Sequence, residues 1–224
     1  MKLSAPFIQL PLSFDAEVLA AEIDALGESV WRDHPQKFPG NSMLPLLAAG
    51  GEPTNESFVG EMAPTPELLR CPYLLQTIGS IGAVVGRTRL MRLAGQAEVT
   101  LHVDQGYYWT DRVRVHVPIV TQPTVRFTCG GNTIHMAAGE CWIFDTWREH
   151  KVENDATLSR IHLVVDTVGG PEFWNLVDRG RAHDAQVAGW SPKHVAPNDT
   201  PVGMTFERYN IPVVMTPWEL HYRL

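Results

Sequence analysis

Between Arg87 and Thr167 the chain breaks into short β-rich segments separated by turn residues, leaving no room for a long helix. The spacing predicts strands over Arg87–Leu93, Glu98–Val103, Arg112–Val120, Val125–Cys129, Thr133–Met136, Cys141–Phe144 and Arg160–Thr167. Ala94-Gly95, Gly130-Gly131-Asn132 and Ala138-Gly139 punctuate them, as expected where glycine and asparagine supply turns. Short strands at this spacing fold as a β-sandwich or jelly roll. Upstream, Asp15 stands as an N-cap before Val18, Leu19, Ile23 and Leu26, so a helix is expected within Asp15–Val30. Thr65-Pro66 and Pro72, the latter followed by Leu74, Leu75, Ile78 and Ile81, announce a helical pair. Pro35 to Glu61 shows neither period and reads as an ordered loop. After Gly169-Gly170 a short helix is expected over Pro171–Arg181, and a tail with Trp190, Tyr209, Trp218 and Tyr222 is expected to pack back. We therefore expect one domain over 1–224: an N-terminal helical and loop region (1–86), a β core (87–167) and a C-terminal extension (168–224).

Charge and cysteine content narrow the function classes. A net charge of −7 with only 18 Lys and Arg argues against nucleic-acid binding, which needs clustered cations. No 18-residue apolar run is present, so no spanning helix and no membrane role are expected. The first residues lack the apolar stretch of a signal peptide, and Cys71, Cys129 and Cys141 form no CxxC pair. Reduced thiols and a cytoplasmic location are the expectation. Oligomeric state is not legible.

Strand alternation sorts the chemistry. In Arg112–Val120, Arg112, Arg114 and His116 fall on one face and Val113, Val115, Val117 and Ile119 on the other. Arg160, His162 and Val164 alternate likewise with Ile161, Leu163 and Val165. Either the polar faces meet solvent, or helices cover the apolar faces and the Arg and His side chains line a pocket. His102-Val103-Asp104 at a strand end places an imidazole and a carboxylate on one side of the backbone, and His150 completes a set of three. Two histidines and one carboxylate form the facial arrangement of non-haem Fe(II) oxygenases, leaving three coordination positions open. Arg160 follows His150 and is suited to a bidentate grip on a carboxylate. Tyr107, Tyr108 and Trp109 either wall a substrate pocket or fill packing space.

His102-Val103-Asp104, Arg112-Val113-Arg114-Val115-His116, Gly139-Glu140-Cys141-Trp142-Ile143-Phe144-Asp145, Glu149-His150 and the run from Arg160 to Asp166 together resemble the aspartyl/asparaginyl β-hydroxylase family of Fe(II)/2-oxoglutarate dioxygenases. The resemblance covers Arg87 to Thr167. It implies a mainly β, cupin-like double-stranded β-helix, with His102 and His150 as iron ligands and Arg160 on the distal carboxylate of 2-oxoglutarate. It further implies that His116 helps bind the cosubstrate's metal-proximal carboxylate and that Arg114 contacts a substrate carboxylate. Alternation places Arg112 in support of Arg114. Mammalian members lack a carboxylate ligand at the position of Asp104. Here the triad is complete, which weakens the transfer of their EGF-like substrates.

The expectation is therefore a hydroxylase that uses Fe(II), 2-oxoglutarate and O₂ on an amino acid or amino-acid-like substrate, free or within a peptide, and releases succinate and CO₂. Tyr107 and Trp109 are placed beside that substrate. The rival from another class is a non-catalytic jelly-roll protein that binds a carboxylate ligand or metal. A cupin-like metal enzyme independent of 2-oxoglutarate ranks third, since only His116 and His162 could add further ligands.

Overall fold

A computed structural model describes residues 1–35, 38–57, 60–104, 106–200 and 203–208. In chain order the elements are β1 (Phe7–Phe14), α1 (Ala16–Leu26), β2 (Arg32–Asp33), β3 (Asn41–Ala49), β4 (Met62–Pro64), α2 (Pro72–Ser80), β5 (Val84–Leu93) and β6 (Ala97–His102). They continue as β7 (Val113–Val120), β8 (Val125–Cys129), β9 (Asn132–Ile134), β10 (Glu140–Phe144), β11 (His150–Asn154), β12 (Arg160–Gly169), α3 (Pro171–Asp178), β13 (Arg181–Ala182), β14 (Lys193–Val195) and β15 (Thr205–Phe206).

Two sheets face each other in the jelly-roll, cupin-like manner expected. The larger runs β13-β1-β10-β7-β12-β5-β3-β2, with β14 beside β1, β15 beside β5 and β4 beside β3. The smaller is β6-β11-β8-β9. Between them, Phe7, Phe127, Trp142, Phe144 and Val152 form one apolar cluster. The outer face of the larger sheet carries Val113, Val115, Val117, Leu163 and Val165, which pack with Leu19 and Ile23 of α1 and with Leu74 and Ile78 of α2. Helices thus cover the apolar faces, which turns Arg160, His162 and His116 toward the interior, where all three are buried.

Both helices follow from their ends. Asp15 Oδ1 accepts a hydrogen bond from the Val18 amide at 3.2 Å, capping α1 where the sequence predicts it. Pro72 opens α2, and its next two amides, Tyr73 and Leu74, donate to the Glu22 carboxylate on α1 at 2.8 and 2.9 Å. The expected helix after Thr65-Pro66 is only a single 3₁₀ turn, Leu68–Arg70.

Two differences from the sequence expectation alter the picture. Pro35 to Glu61 is not simply a loop, because it holds β3 next to β5, with Asn41 opposite Leu93 and Met43 opposite Met91. Leu44-Pro45-Leu46-Leu47-Ala48-Ala49 is apolar on both faces, so no alternation marks it as a strand. Phe7–Phe14, unassigned from sequence, pairs with β10. The larger sheet therefore draws on strands upstream of Arg87. In the tail, β14 and β15 add parallel strands to β1 and β5, while Tyr209, Trp218 and Tyr222 lie outside the described residues.

Candidate metal centre and carboxylate pocket

His102 closes β6 and His150 opens β11, and the register of the two strands sets them directly opposite each other. Their rings lie 4.2 Å apart between centroids. Asp104, just past the end of β6, is pinned by its amide, which donates to the Thr146 carbonyl at 3.1 Å. Its Oδ2 sits 3.9 Å from His150 Nε2. One ligand atom from each of the three residues falls within 4.8 Å of the other two. His102 Nδ1 bonds the Thr100 carbonyl at 2.7 Å and His150 Nδ1 bonds the Arg148 carbonyl at 2.9 Å. With both Nδ1 atoms donating to carbonyls, the neutral form of each ring has its lone pair on Nε2, open to a metal, the usual way a ligating histidine is oriented. Burial, ahead of every other influence, lowers the His150 pKa and favours the neutral ring a metal needs. The residues fit a divalent ion with two imidazoles and one carboxylate.

A cavity of about 640 Å³ opens over these residues, within the size range of small-molecule sites. Its inner wall is the polar face of β5, β12 and β7: Arg87, Arg89, Met91, Arg160, Arg114 and His116 all line it. Arg160 is 4% exposed, and its Nε has no hydrogen-bond partner among the described residues. Burial pushes its guanidinium pKa down to about 9. An uncompensated buried cation is costly unless a ligand supplies the counter-charge. His116 Nδ1 lies 3.3 Å from His162 Nδ1, so one ring donates to the other, and Nε2 of each is buried without a partner among the described residues. Burial first, and then the charge of Arg160, holds both histidines well below their ordinary pKa, hence neutral. A neutral His116 with Nδ1 accepting carries its proton on Nε2 and can donate it.

The structure places the other expected residues unevenly. Trp109 lines the cavity, with the Arg114 guanidinium 4.4 Å above its ring. The side chain of Tyr107 lies outside what is described. Arg112 does not line the cavity; it pairs with Glu207 and Asp111 and lies 4.4 Å over the Tyr108 ring. Residue 112 precedes β7, so the strand face that carries Arg114 and His116 does not extend to it. Arg114, expected to meet a substrate carboxylate, is instead held by acids of the chain: Nε to Asp166 Oδ1 at 2.8 Å, Nη2 to Asp166 Oδ2 at 3.3 Å and Nη1 to Asp104 Oδ2 at 3.3 Å. Asp166 was visible in the sequence as the last residue of the motif that begins at Arg160, but no spacing rule pairs it with Arg114. The register does so, with Asp166 opposite Arg114 across β12 and β7. Arg87 and Arg89 also line the cavity without having been singled out from the sequence.

A model of the aspartyl/asparaginyl β-hydroxylase family matches residues 46–169, more than half of the chain. The chain belongs to that family. The hydroxylase is accordingly a 2-oxoglutarate-dependent iron enzyme, with Fe(II), 2-oxoglutarate and O₂ as its cofactor and cosubstrates. No curated protein sequence matches it. Among solved structures it is similar to a 2OG-Fe(II) oxygenase family protein from Burkholderia pseudomallei at 17% identity, covering 75% of this chain and 87% of that one with a TM-score of 0.48. A prolyl hydroxylase from Trichoplax adhaerens, in complex with a hypoxia inducible factor peptide fragment, shares 10% identity over 77% of this chain and 87% of that chain, with a TM-score of 0.49. A prolyl-4-hydroxylase from Pseudomonas putida shares 14% identity over 73% and 92% respectively, with a TM-score of 0.46. No described helix of the hydroxylase is long and apolar enough to cross a membrane.

Proposed function

We propose that the chain hydroxylates an unactivated C–H bond of an amino acid or amino-acid-like carboxylate, free or within a peptide, with release of succinate and CO₂. Of the two oxygen atoms of O₂, one enters succinate and the other the product hydroxyl, so each turnover consumes one 2-oxoglutarate. The observation that carries this reading is Arg160, a buried guanidinium whose Nε has no hydrogen-bond partner among the described residues and which faces the same cavity as the His102, Asp104 and His150 cluster. Iron bound by His102, Asp104 and His150 supplies the activation of O₂.

The chain's own residues position and insulate. Arg160 takes the distal carboxylate of 2-oxoglutarate in a two-pronged grip. His116 donates from Nε2 to the carboxylate at the metal end. Arg114 holds Asp104 Oδ2 in place, steadied in turn by Asp166. Phe127, Phe144 and Val152 line the wall around His150 and keep water from it.

A succinate-release screen tests the reading, run with Fe(II), 2-oxoglutarate and O₂ against free amino acids, N-acyl amino acids and short peptides. A hit must show one added oxygen atom by mass spectrometry, in step with succinate. Absence of 2-oxoglutarate turnover with every member of the panel would overturn it.

A further inference from the structure

Arg89 lies midway along β5 and faces the cavity, 6% exposed. Its one hydrogen bond among the described residues runs from Nη1 to the Met43 sulfur at 3.8 Å. A thioether is a weak acceptor and carries no charge. Among the described residues no carboxylate lies within ion-pair distance of it, although its neighbours Arg87, Arg112 and Arg114 all have one. Burial, with the like charges of Arg87 and Arg114 beside it, pushes its guanidinium pKa down to about 9.

Strand register separates Arg89 from Arg160. Val164 stands opposite both Arg89 on β5 and His116 on β7, so these three share one row across the sheet. Arg160 lies four residues from Val164, about 13 Å along β12 at ordinary strand rise. The charge of Arg160 acts on His116 and His162, whereas that of Arg89 acts on His34 and Asp166. Two cations that have no ion-paired carboxylate among the described residues thus serve different regions of one cavity.

We infer that Arg89, rather than Arg114, binds the carboxylate of the substrate. The inference rests on the proposed function, which uses both carboxylates of 2-oxoglutarate: one at the metal beside His116, the other on Arg160. None remains for Arg89. A second anion is required to balance it, and the molecule that shares the cavity with 2-oxoglutarate is the substrate. Arg114 cannot serve without giving up Asp166, which is 1% exposed and would be left as a buried charge short of its main partner.

The test is binding to the Co(II)- and 2-oxoglutarate-loaded protein, which does not turn over. The probes are the twenty protein L-amino acids, their N-acetyl derivatives and the corresponding α-carboxamides. Wild type should bind at least one acid ten-fold or more tightly than its carboxamide. Arg89→Gln should weaken that acid at least ten-fold and erase the preference over the carboxamide, while 2-oxoglutarate affinity stays within two-fold. Arg89→Lys should retain part of the preference. Arg89→Met, which removes a buried cation with no carboxylate within ion-pair distance among the described residues, should raise the Tm of the ligand-free protein; a fall would mark a structural role and overturn the inference. It is also overturned if no acid binds, if the preference survives in Arg89→Gln, or if that variant loses 2-oxoglutarate instead. Failure of the proposed function reads differently: wild type would then bind neither Co(II) nor 2-oxoglutarate, or Arg160→Gln would leave 2-oxoglutarate affinity unchanged.

Discussion

Nη1 of Arg114 lies 3.3 Å from Oδ2 of Asp104, so a guanidinium expected to face the substrate is turned onto a carboxylate of the metal cluster. The same side chain holds Asp166 through two further bonds. Arg114 therefore ties β7, β12 and the loop after β6 together at the rim of the cavity.

The first prediction concerns this tie. Arg114→Gln should lower stability by about 3 to 5 kcal/mol in denaturant unfolding, the usual cost of stranding one member of a buried pair. Burial alone would raise the Asp166 pKa, yet Arg114, aided by Arg87 and Arg89, brings it down to about 2. A carboxyl depressed in the folded state stabilises fully above its unfolded pKa, near 3.9, and that contribution is lost as pH falls through 2. The stability gap between wild type and Arg114→Gln should thus narrow from pH 5 toward pH 2. A gap independent of pH would show that the pair is not the source.

His102→Ala and His150→Ala should each abolish Co(II) binding, followed by the visible absorption of the bound ion, and with it succinate formation. The apolar clusters on either side of the larger sheet do not include these imidazoles, so circular dichroism should stay native. Stoichiometric Co(II) binding in either variant would remove that residue from the metal centre.

Arg160→Lys keeps a cation but loses the planar fork. Affinity for 2-oxoglutarate should fall by about 1.5 to 3 kcal/mol, the range for charged hydrogen bonds, with Co(II) affinity unchanged. An unaltered 2-oxoglutarate titration would move the distal carboxylate elsewhere.

Glu22 supplies the two acceptors at the start of α2. Glu22→Ala leaves the Tyr73 and Leu74 amides without them and removes an acid from a helix N-terminus, so a cost of about 1 to 3 kcal/mol is expected. Glu22→Gln should recover part of it, since one carbonyl oxygen remains. Unfolding midpoints of both variants at neutral pH decide the point.

The site was more legible than the sheet around it. His102 and Asp104 announce themselves as candidate ligands because two side chains able to bind a metal, two residues apart, share one side of a strand, and Arg160 because it sits in a strand that alternates cleanly with Ile161 and Leu163. β3 was hidden because a strand buried on both faces has no polar positions to mark its period. Arg114 and Arg89 look alike in sequence: each is an arginine at an inward position of a β segment. Only pairing across strands sets Asp166 opposite Arg114 and Val164 opposite Arg89, so that, among the described residues, the first holds an ion pair and the second does not. Local spacing carries the candidate ligands of a metal; the counter-ions of a pocket are set by register, which is non-local.

The division of β12 between Arg160, His162, Val164 and Asp166 on one side and Ile161, Leu163 and Val165 on the other makes two kinds of genetic change unequal. Point substitutions on the inward side can retune what the cavity accepts while the helix-covered side keeps its packing. Loss or gain of one codon within the strand exchanges the two sides at once, burying charge under the helices and filling the cavity with aliphatic groups. Lineages descended from such a sequence are therefore expected to diverge here by replacement and to confine their length changes to the turns.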